Sequence, residues 1–304
     1  MTTCLVTGGN GFIGTYLIKE LSDRGYDVIV YGQFARKNPL FESLIQNRSN
    51  IKSIIGDITD HKSINLACKN VDTIFHLAAT VENDPHKTLS INVQGTLNIL
   101  EVAKQQNIRK VIFTSSSSVY FPAKYFPIDE EHPTSPNSYY AISKIVGELY
   151  CKYYNEKYNI DTTIFRLASV YGKRMEISYP EKSISIFFKA INKDETITIY
   201  GNGDQYRDYV YVDDVVEAFI NAMNINLSEN IINIGCGEKI SIMDLAQTLI
   251  KISGKTIHLK TITESNNSSV QDNYVLDISK AKRLLNFRPT PLEEGLRNLW
   301  KYND

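Results

Sequence analysis

Short apolar runs alternate with helical patterns along the first half of the chain. Residues 3–8 (TCLVTG), 26–32 (YDVIVYG), 51–57 (IKSIIGD), 71–79 (VDTIFHLAA) and 110–117 (KVIFTSSS) are apolar without strict alternation, and 161–172 (DTTIFRLASVYG) holds a sixth such run. Residues 12–24, about 90–106 and the stretch reaching about Tyr158 carry helical patterns. Strands apolar on both faces and separated by helices predict an α/β fold, with a parallel sheet covered on both sides and right-handed crossovers. After Ser169 the pattern turns irregular. Segments 173–209 and 237–304 are richer in polar and turn residues and predict a smaller C-terminal α/β lobe. Between them, YVDDVVEAFINAM and NIINIG read as one more helix and strand of the sheet. The predicted division is therefore discontinuous. Residues 1–168 plus about 210–236 form one domain, and about 169–209 plus 237–304 the other.

Thr7 to Gly14 reads TGGNGFIG, directly after the first strand and opening the first helix. Gly8, Gly11 and Gly14 are spaced to let the backbone approach a pyrophosphate and the helix pack on the strand, while the helix N-terminus supplies N–H groups. A plain glycine-rich turn is the alternative, but the strand–turn–helix context is the one a dinucleotide site requires. The sheet is then a doubly wound, Rossmann-type one. NAD sites usually carry a carboxylate at the end of the second strand. Here that end reads Tyr31, Gly32, Gln33, followed by Arg36 and Lys37. Without the carboxylate, nothing repels a 2′-phosphate, and the two cations attract one, so the reading leans to NADP. The alternative is solvated Arg36 and Lys37, with NAD held by Gln33 and the backbone. Asp57 ends the third strand, placed for the adenine amino group or as the cap of the next helix.

Tyr140 and Lys144 stand four residues apart in PNSYYAISK. On a helix this spacing sets an ammonium beside a phenol. A nearby positive charge lowers the phenol pKa and makes the phenolate a usable general base. Tyr139 has Ser143 at the same offset, which offers no charge.

Composition narrows the classes without choosing among them. The 304 residues are 42% hydrophobic and 22% charged, with net charge −1, which supplies no reason to expect nucleic acid or an anionic membrane. No apolar run reaches the roughly 18–20 residues of a membrane span. Cys4, Cys68, Cys151 and Cys236 form no Cys-x-x-Cys pair, and the histidines are scattered, so no metal site is expected. Reduced thiols and a first strand with no leader pattern before it predict a cytoplasmic protein.

The glycine loop, HLAA at 76–79, the serine run 115–118 and Tyr140-x-x-x-Lys144 resemble the extended short-chain dehydrogenase/reductases. NVQGTLNILEVA, FRLASVYG, GNGDQYRDYVYVDDV, NIGCGE and DISKAKRLLNFRP follow in the order seen in NAD(P)-dependent sugar-nucleotide epimerases and dehydratases, similar to UDP-glucose 4-epimerase-like members. The resemblance spans almost the whole chain. It implies Tyr140 as the active-site base and acid, with Lys144 lowering its pKa and holding the nicotinamide ribose. Ser116, four residues before Tyr120, takes the place of the family's active-site hydroxyl. Gly8, Gly11, Phe12, Ile13, Gly14, Gln33, Arg36, Lys37, Asp57, Ile58, Leu77, Ala78 and Ala79, together with Tyr140 and Lys144, would contact the NAD or NADP cofactor.

The same resemblance sorts the reactions. A 4,6-dehydratase needs a carboxylate in the pair after the active-site Ser or Thr, and that pair here is Ser117-Ser118. Hydroxyls do not replace a carboxylate base near neutral pH. An epimerase that returns hydride to the other face of C4 fits. So does an NADPH-dependent keto-sugar reductase or C4 dehydrogenase, which the NADP lean favours. A non-catalytic dinucleotide sensor is the rival from another class, but such proteins usually lose the Tyr or Lys kept here. Ser117, Ser169, Arg207 and Tyr274 are the implied contacts of a nucleotide-sugar substrate. Arg207 matches a diphosphate arginine, and its alternative is an ion pair with Asp204 or Asp208. The family's second phosphate arginine is missing from 265–276, leaving Lys173 and Arg174 as substitutes. The helices near 90–106 and 139–158 are apolar over much of their circumference, which predicts burial. Relatives pair them across a subunit interface, so a homodimer is expected, the second lobe covering them being the alternative.

Overall fold

The computed structural model describes residues 2–35, 37–226, 230–262 and 273–301. In chain order it runs β1 (Thr3–Thr7), α1 (Phe12–Asp23), β2 (Asp27–Gly32), α2 (Pro39–Asn47), β3 (Ile51–Ile55), α3 (His61–Ala67), β4 (Thr73–His76) and α4 (Pro85–Lys87). A π-helical segment (Thr88–Gln94), α5 (Gly95–Gln105), β5 (Lys110–Ser116), a 3₁₀ turn (Ser117–Tyr120), α6 (Tyr139–Tyr158), β6 (Asp161–Leu167) and β7 (Ser169–Tyr171) follow. The remainder is α7 (Met175–Ser178), α8 (Ser183–Asn192), β8 (Ile197–Tyr200), β9 (Tyr206–Arg207), β10 (Tyr209–Tyr211), α9 (Val212–Met223) and β11 (Ile231–Ile234). The chain closes with β12 (Ile240–Ser241), α10 (Ile242–Ser253), β13 (Leu259–Ile262), α11 (Ser279–Leu285) and α12 (Leu292–Lys301).

Seven strands form the main sheet in the order β11-β6-β5-β4-β1-β2-β3. Neighbours from β3 to β6 pair in parallel. This is the doubly wound, Rossmann-type order, which places ligands beyond the carboxyl ends of the strands where the winding reverses, between β1 and β4. Leu5, Val6, Ile74, Phe75, Val111, Ile112, Ile164 and Phe165 are all buried, which is why these strands show no alternation. Local signals set the helix ends. Asn38, Asp60 and Ser138 cap α2, α3 and α6 through their side chains, and α6 stops at Asn159 in a left-handed conformation (φ 56°).

Two compact units result. One comprises 1–120, 134–167 and 216–232, and the other 121–133, 168–215 and 233–304. Residues 121–133 and 210–215 thus group with the second unit, whereas the sequence pattern kept both in the first. The second unit carries three small sheets, β10 with β7, β12 with β9, and β13 with β8.

Two local expectations change. Asp57 does not cap α3, because Asp60 accepts the N–H groups of Lys62 and Ser63. The apolar helices are not buried all round: Leu89, Ile142, Leu149 and Tyr153 are 61%, 47%, 62% and 51% exposed. Apolar residues all round a helix predict burial only where something packs on each face.

Candidate active site

Thr7 ends β1, and its hydroxyl accepts the N–H groups of Leu77 (3.2 Å) and Ala78 (3.1 Å) just beyond β4. The first turn of the glycine loop lies hard against that segment. Gly8 has φ +71°, and a Cβ there would fall 2.8 Å from the Ala78 nitrogen. At Gly14 a Cβ would fall 2.3 Å from the Gly8 oxygen, so helix and loop pack backbone to backbone. α1 starts at Phe12 and Ile13 with no side-chain cap on Gly11 and no acidic residue in its first turn. An uncapped helix start with its positive dipole end fits a pyrophosphate. These residues therefore suit a dinucleotide, with Leu77, Ala78 and Ala79 along one side.

At the end of β2, Gln33 donates to Asp57 (2.7 Å), and Asp57 also accepts the N–H (2.8 Å) and hydroxyl (2.7 Å) of Thr59. The Thr59 bonds, the backbone one foremost, hold the Asp57 carboxyl below its ordinary range despite partial burial. An ionised carboxylate thus stands beside Gln33. Ile58 is buried, Lys37 is exposed, and Arg36 lies outside the described residues.

Tyr140 and Lys144 sit on the first turns of α6, with the ammonium 5.6 Å from the centre of the Tyr140 ring. It also lies 5.0 Å from the Phe113 ring and donates to the Thr114 carbonyl oxygen at 2.7 Å. Ser116 closes β5, where its hydroxyl accepts the Ser118 N–H at 3.2 Å, and Ser117 is buried beside it. Tyr139 is 45% exposed.

Lys144 is 3% exposed, and burial pulls its pKa down from 10.5 to about 8. The folded protein therefore binds this proton less tightly than the unfolded chain. Below pH 8 the buried charge costs about 3 kcal/mol, and stability recovers as pH rises from about 8 to 10.5. Lys144→Met should abolish turnover yet leave the cofactor-free protein at least as stable as wild type at pH 7. That advantage should shrink by pH 10. Urea titrations at both pH values check it, and a variant several kcal/mol weaker at pH 7 contradicts the cost.

One turn beyond Lys144, Glu148 pairs with Arg166 on β6 (2.6 Å), both side chains 5% exposed. Ser115 donates to Glu148 (2.5 Å), and Arg166 donates to the Tyr120 hydroxyl (2.9 Å). This cluster clamps β5, β6, the 3₁₀ turn and α6 behind the Tyr–Lys pair. Sequence reasoning missed it; Glu148 four residues after Lys144 was the available sign.

In the second unit, the Ser169 and Tyr274 hydroxyls meet at 2.8 Å. Arg207 lies on β9 next to Asp208, which is fully buried. The Asp208 carboxylate accepts the N–H groups of Cys236, Gly237 and Leu276, which makes it a backbone anchor. Arg174 has φ 69°, and its Nη1 is buried without a hydrogen-bond partner among the described residues.

Comparison with known proteins places the chain in a family. Residues 4–235 match the model of the NAD dependent epimerase/dehydratase family. A putative UDP-glucose 4-epimerase of Methanocaldococcus jannaschii is 37% identical over 318 residues, covering 99% of this chain and 98% of that one. UDP-glucuronic acid decarboxylase 1 of Danio rerio is 30% identical over 313 residues, 98% of this chain and 72% of that one. The structure of UDP-glucuronic acid 4-epimerase from Bacillus cereus, in complex with UDP-glucuronic acid and NAD, superposes with a TM-score of 0.86 at 30% identity, covering 99% of this chain and 98% of that one. The chain belongs to the NAD-dependent epimerase/dehydratase family of extended short-chain dehydrogenase/reductases, enzymes of nucleotide sugars.

Proposed function

We propose that this protein is a UDP-sugar 4-epimerase that keeps NAD bound through its cycle. The observation that carries the reading is the buried Lys144 ammonium beneath Tyr140, with Ser116 at the end of β5 and serines, not carboxylates, at 117 and 118. The glycine loop and the 77–79 segment would hold a dinucleotide whose nicotinamide would supply the hydride acceptor and donor that inversion at C4 needs. The protein moves the proton. Tyr140 removes the C4 hydroxyl proton and later gives it back, Ser116 hydrogen-bonds the same oxygen, and Lys144 stabilises the phenolate. Arg207 and Arg174 hold the diphosphate, a task suited to guanidinium groups. Ser117, Ser169 and Tyr274 contact the sugar.

NAD is preferred over NADP because the ionised Asp57 beside Gln33 would repel a 2′-phosphate. A one-way NADPH-dependent reductase is the second reading, resting on the exposed Lys37 and the absence of an acid at the carboxyl end of β2 (Tyr31, Gly32, Gln33). Denaturing the purified protein and weighing the released nucleotide separates them. NAD near one per chain is expected, and an empty site that prefers NADPH overturns this reading.

The exposed Leu89, Ile142, Leu149 and Tyr153 support a homodimer through the π-helical segment, α5 and α6. Sedimentation should give a dimer for wild type and a monomer for Leu149→Glu; a monomeric wild type removes the proposal. No described helix is long and apolar enough to cross a membrane. The four free, buried cysteines support a cytoplasmic location, and recovery of the protein in an extracytoplasmic fraction would refute it.

A further inference from the structure

The second unit carries a recess lined by none of the residues assigned above to cofactor or sugar. Its volume is about 460 Å³. The walls come from two short stretches, 236–238 after β11 and 286–291 after α11, with Lys282 of α11 beside them. Small-molecule sites have volumes of roughly 300–1,000 Å³. Both stretches are fixed from behind. The buried Asp208 carboxylate accepts the N–H groups of Cys236 (2.6 Å) and Gly237 (3.1 Å). Asp214 accepts the N–H (2.7 Å) and the hydroxyl (2.8 Å) of Thr290. Pro289 and Pro291 stiffen the chain on either side of that threonine. The recess is therefore preformed, and binding in it requires little ordering of the protein.

Asp208 and Asp214 are engaged by these donors and do not line the recess. The charges that do line it are Lys282 and Arg288 against Glu238, all three exposed. Among the described residues neither cation has an ion-pair partner. Lys282 stands in the last turn of α11, where a cation complements the helix dipole, but Arg288 lies past the helix end and has no such duty. Cys236 and Phe287 are buried and supply apolar surface. Burial, reinforced by the charges of Glu238, Asp208 and Asp214, pushes the Cys236 thiol up to about 12 against the opposing effect of Lys282, so the sulfur stays neutral. Two cations, one of them a guanidinium, suit a phosphate group. The Glu238 carboxylate and the Asn286 amide suit hydroxyl groups, whereas Glu238 repels a bare phosphate.

We propose that this recess is a second ligand site, one that takes a hydroxylated phosphomonoester of the sugar-phosphate class. The phosphate rests on Lys282 and Arg288, the hydroxyls on Glu238 and Asn286, and the carbon skeleton on Phe287 and the two prolines. The site is separate from the diphosphate grip assigned to Arg207 and Arg174, and it does not depend on which reaction the enzyme performs.

Calorimetric titration of glucose 6-phosphate into the full chain, with and without saturating UDP, tests the proposal. One saturable site per chain is expected in both conditions. Lys282→Ala and Arg288→Ala should each weaken binding by about tenfold or more. Both side chains are exposed, so both variants should keep the wild-type Tm. Lys260→Ala, which removes an exposed cation of β13 outside the recess, should bind as wild type does. Inorganic phosphate should bind about tenfold or more weakly than glucose 6-phosphate. Glu238→Ala should narrow that gap, because it removes a hydroxyl contact and a repulsion together. Absence of saturable binding, displacement by UDP, an affinity unmoved by both recess variants, or equal affinity for phosphate and sugar phosphate would each overturn the site. No turnover is measured, so a wild type that epimerises no UDP-sugar sinks the epimerase reading and leaves this test intact.

Discussion

Tyr140→Phe is expected to reduce turnover by about 10²- to 10⁴-fold, with fold and bound nucleotide unchanged. The substitution removes one oxygen from a half-buried ring whose neighbour, the Lys144 ammonium, is anchored independently to the Thr114 carbonyl. The glycine loop and the 77–79 segment, proposed to hold the pyrophosphate end of the dinucleotide, do not depend on the phenol. The loss therefore falls on the proton transfer, roughly 3–5 kcal/mol of barrier. Tyr139→Phe serves as the control and should leave activity within a factor of about two, since that ring is exposed. Measured activity within tenfold of wild type in Tyr140→Phe would remove Tyr140 from the chemistry.

The second large effect is on stability. Glu148→Ala is expected to cost about 3–5 kcal/mol, because it strands the Arg166 guanidinium in a buried site. Burial alone would lower the guanidinium pKa, but the Glu148 hydrogen bonds and charge raise it on balance. The pair's net worth is smaller than the cost of breaking it, so Glu148→Leu with Arg166→Met should be less damaging than Glu148→Ala alone. Equilibrium denaturation of the three proteins measures this, and a single variant within about 1 kcal/mol of wild type refutes the buried-charge account. The geometry also supplies a reason for an ion pair here. Glu148 lies one turn after Lys144, and fixing it to β5 and β6 fixes the register of α6 against the sheet.

The parts of this site visible in the sequence are those whose chemistry depends on local spacing. Gly8, Gly11 and Gly14 follow a strand and open a helix, and Tyr140 and Lys144 are one helical turn apart; such relations survive in a one-dimensional pattern. The relations that depend on distant segments did not show. Arg166 meets Glu148 and Tyr120, and Ser169 meets Tyr274, only after the chain has folded. The π-helical register of Asn92 has no signature in hydrophobic periodicity, so the stretch near 90–106 read as one plain helix. Gln33 and Asp57 lie 24 residues apart in the chain, and their hydrogen bond, which bears on the choice between NAD and NADP, joins two neighbouring strand ends. The exposure of Ile142 and Leu149 likewise depends on what packs where, not on composition.

The most direct test of the central claim is to follow the configuration at C4 by proton NMR. The purified protein is incubated with UDP-glucose, UDP-glucuronic acid and UDP-N-acetylglucosamine in turn, with no nucleotide added. At least one of them should relax to a mixture of the two C4 epimers, reached from either side, with no net cofactor consumed. A product that is only reduced, dehydrated or decarboxylated, or no change in any of the three, would contradict it.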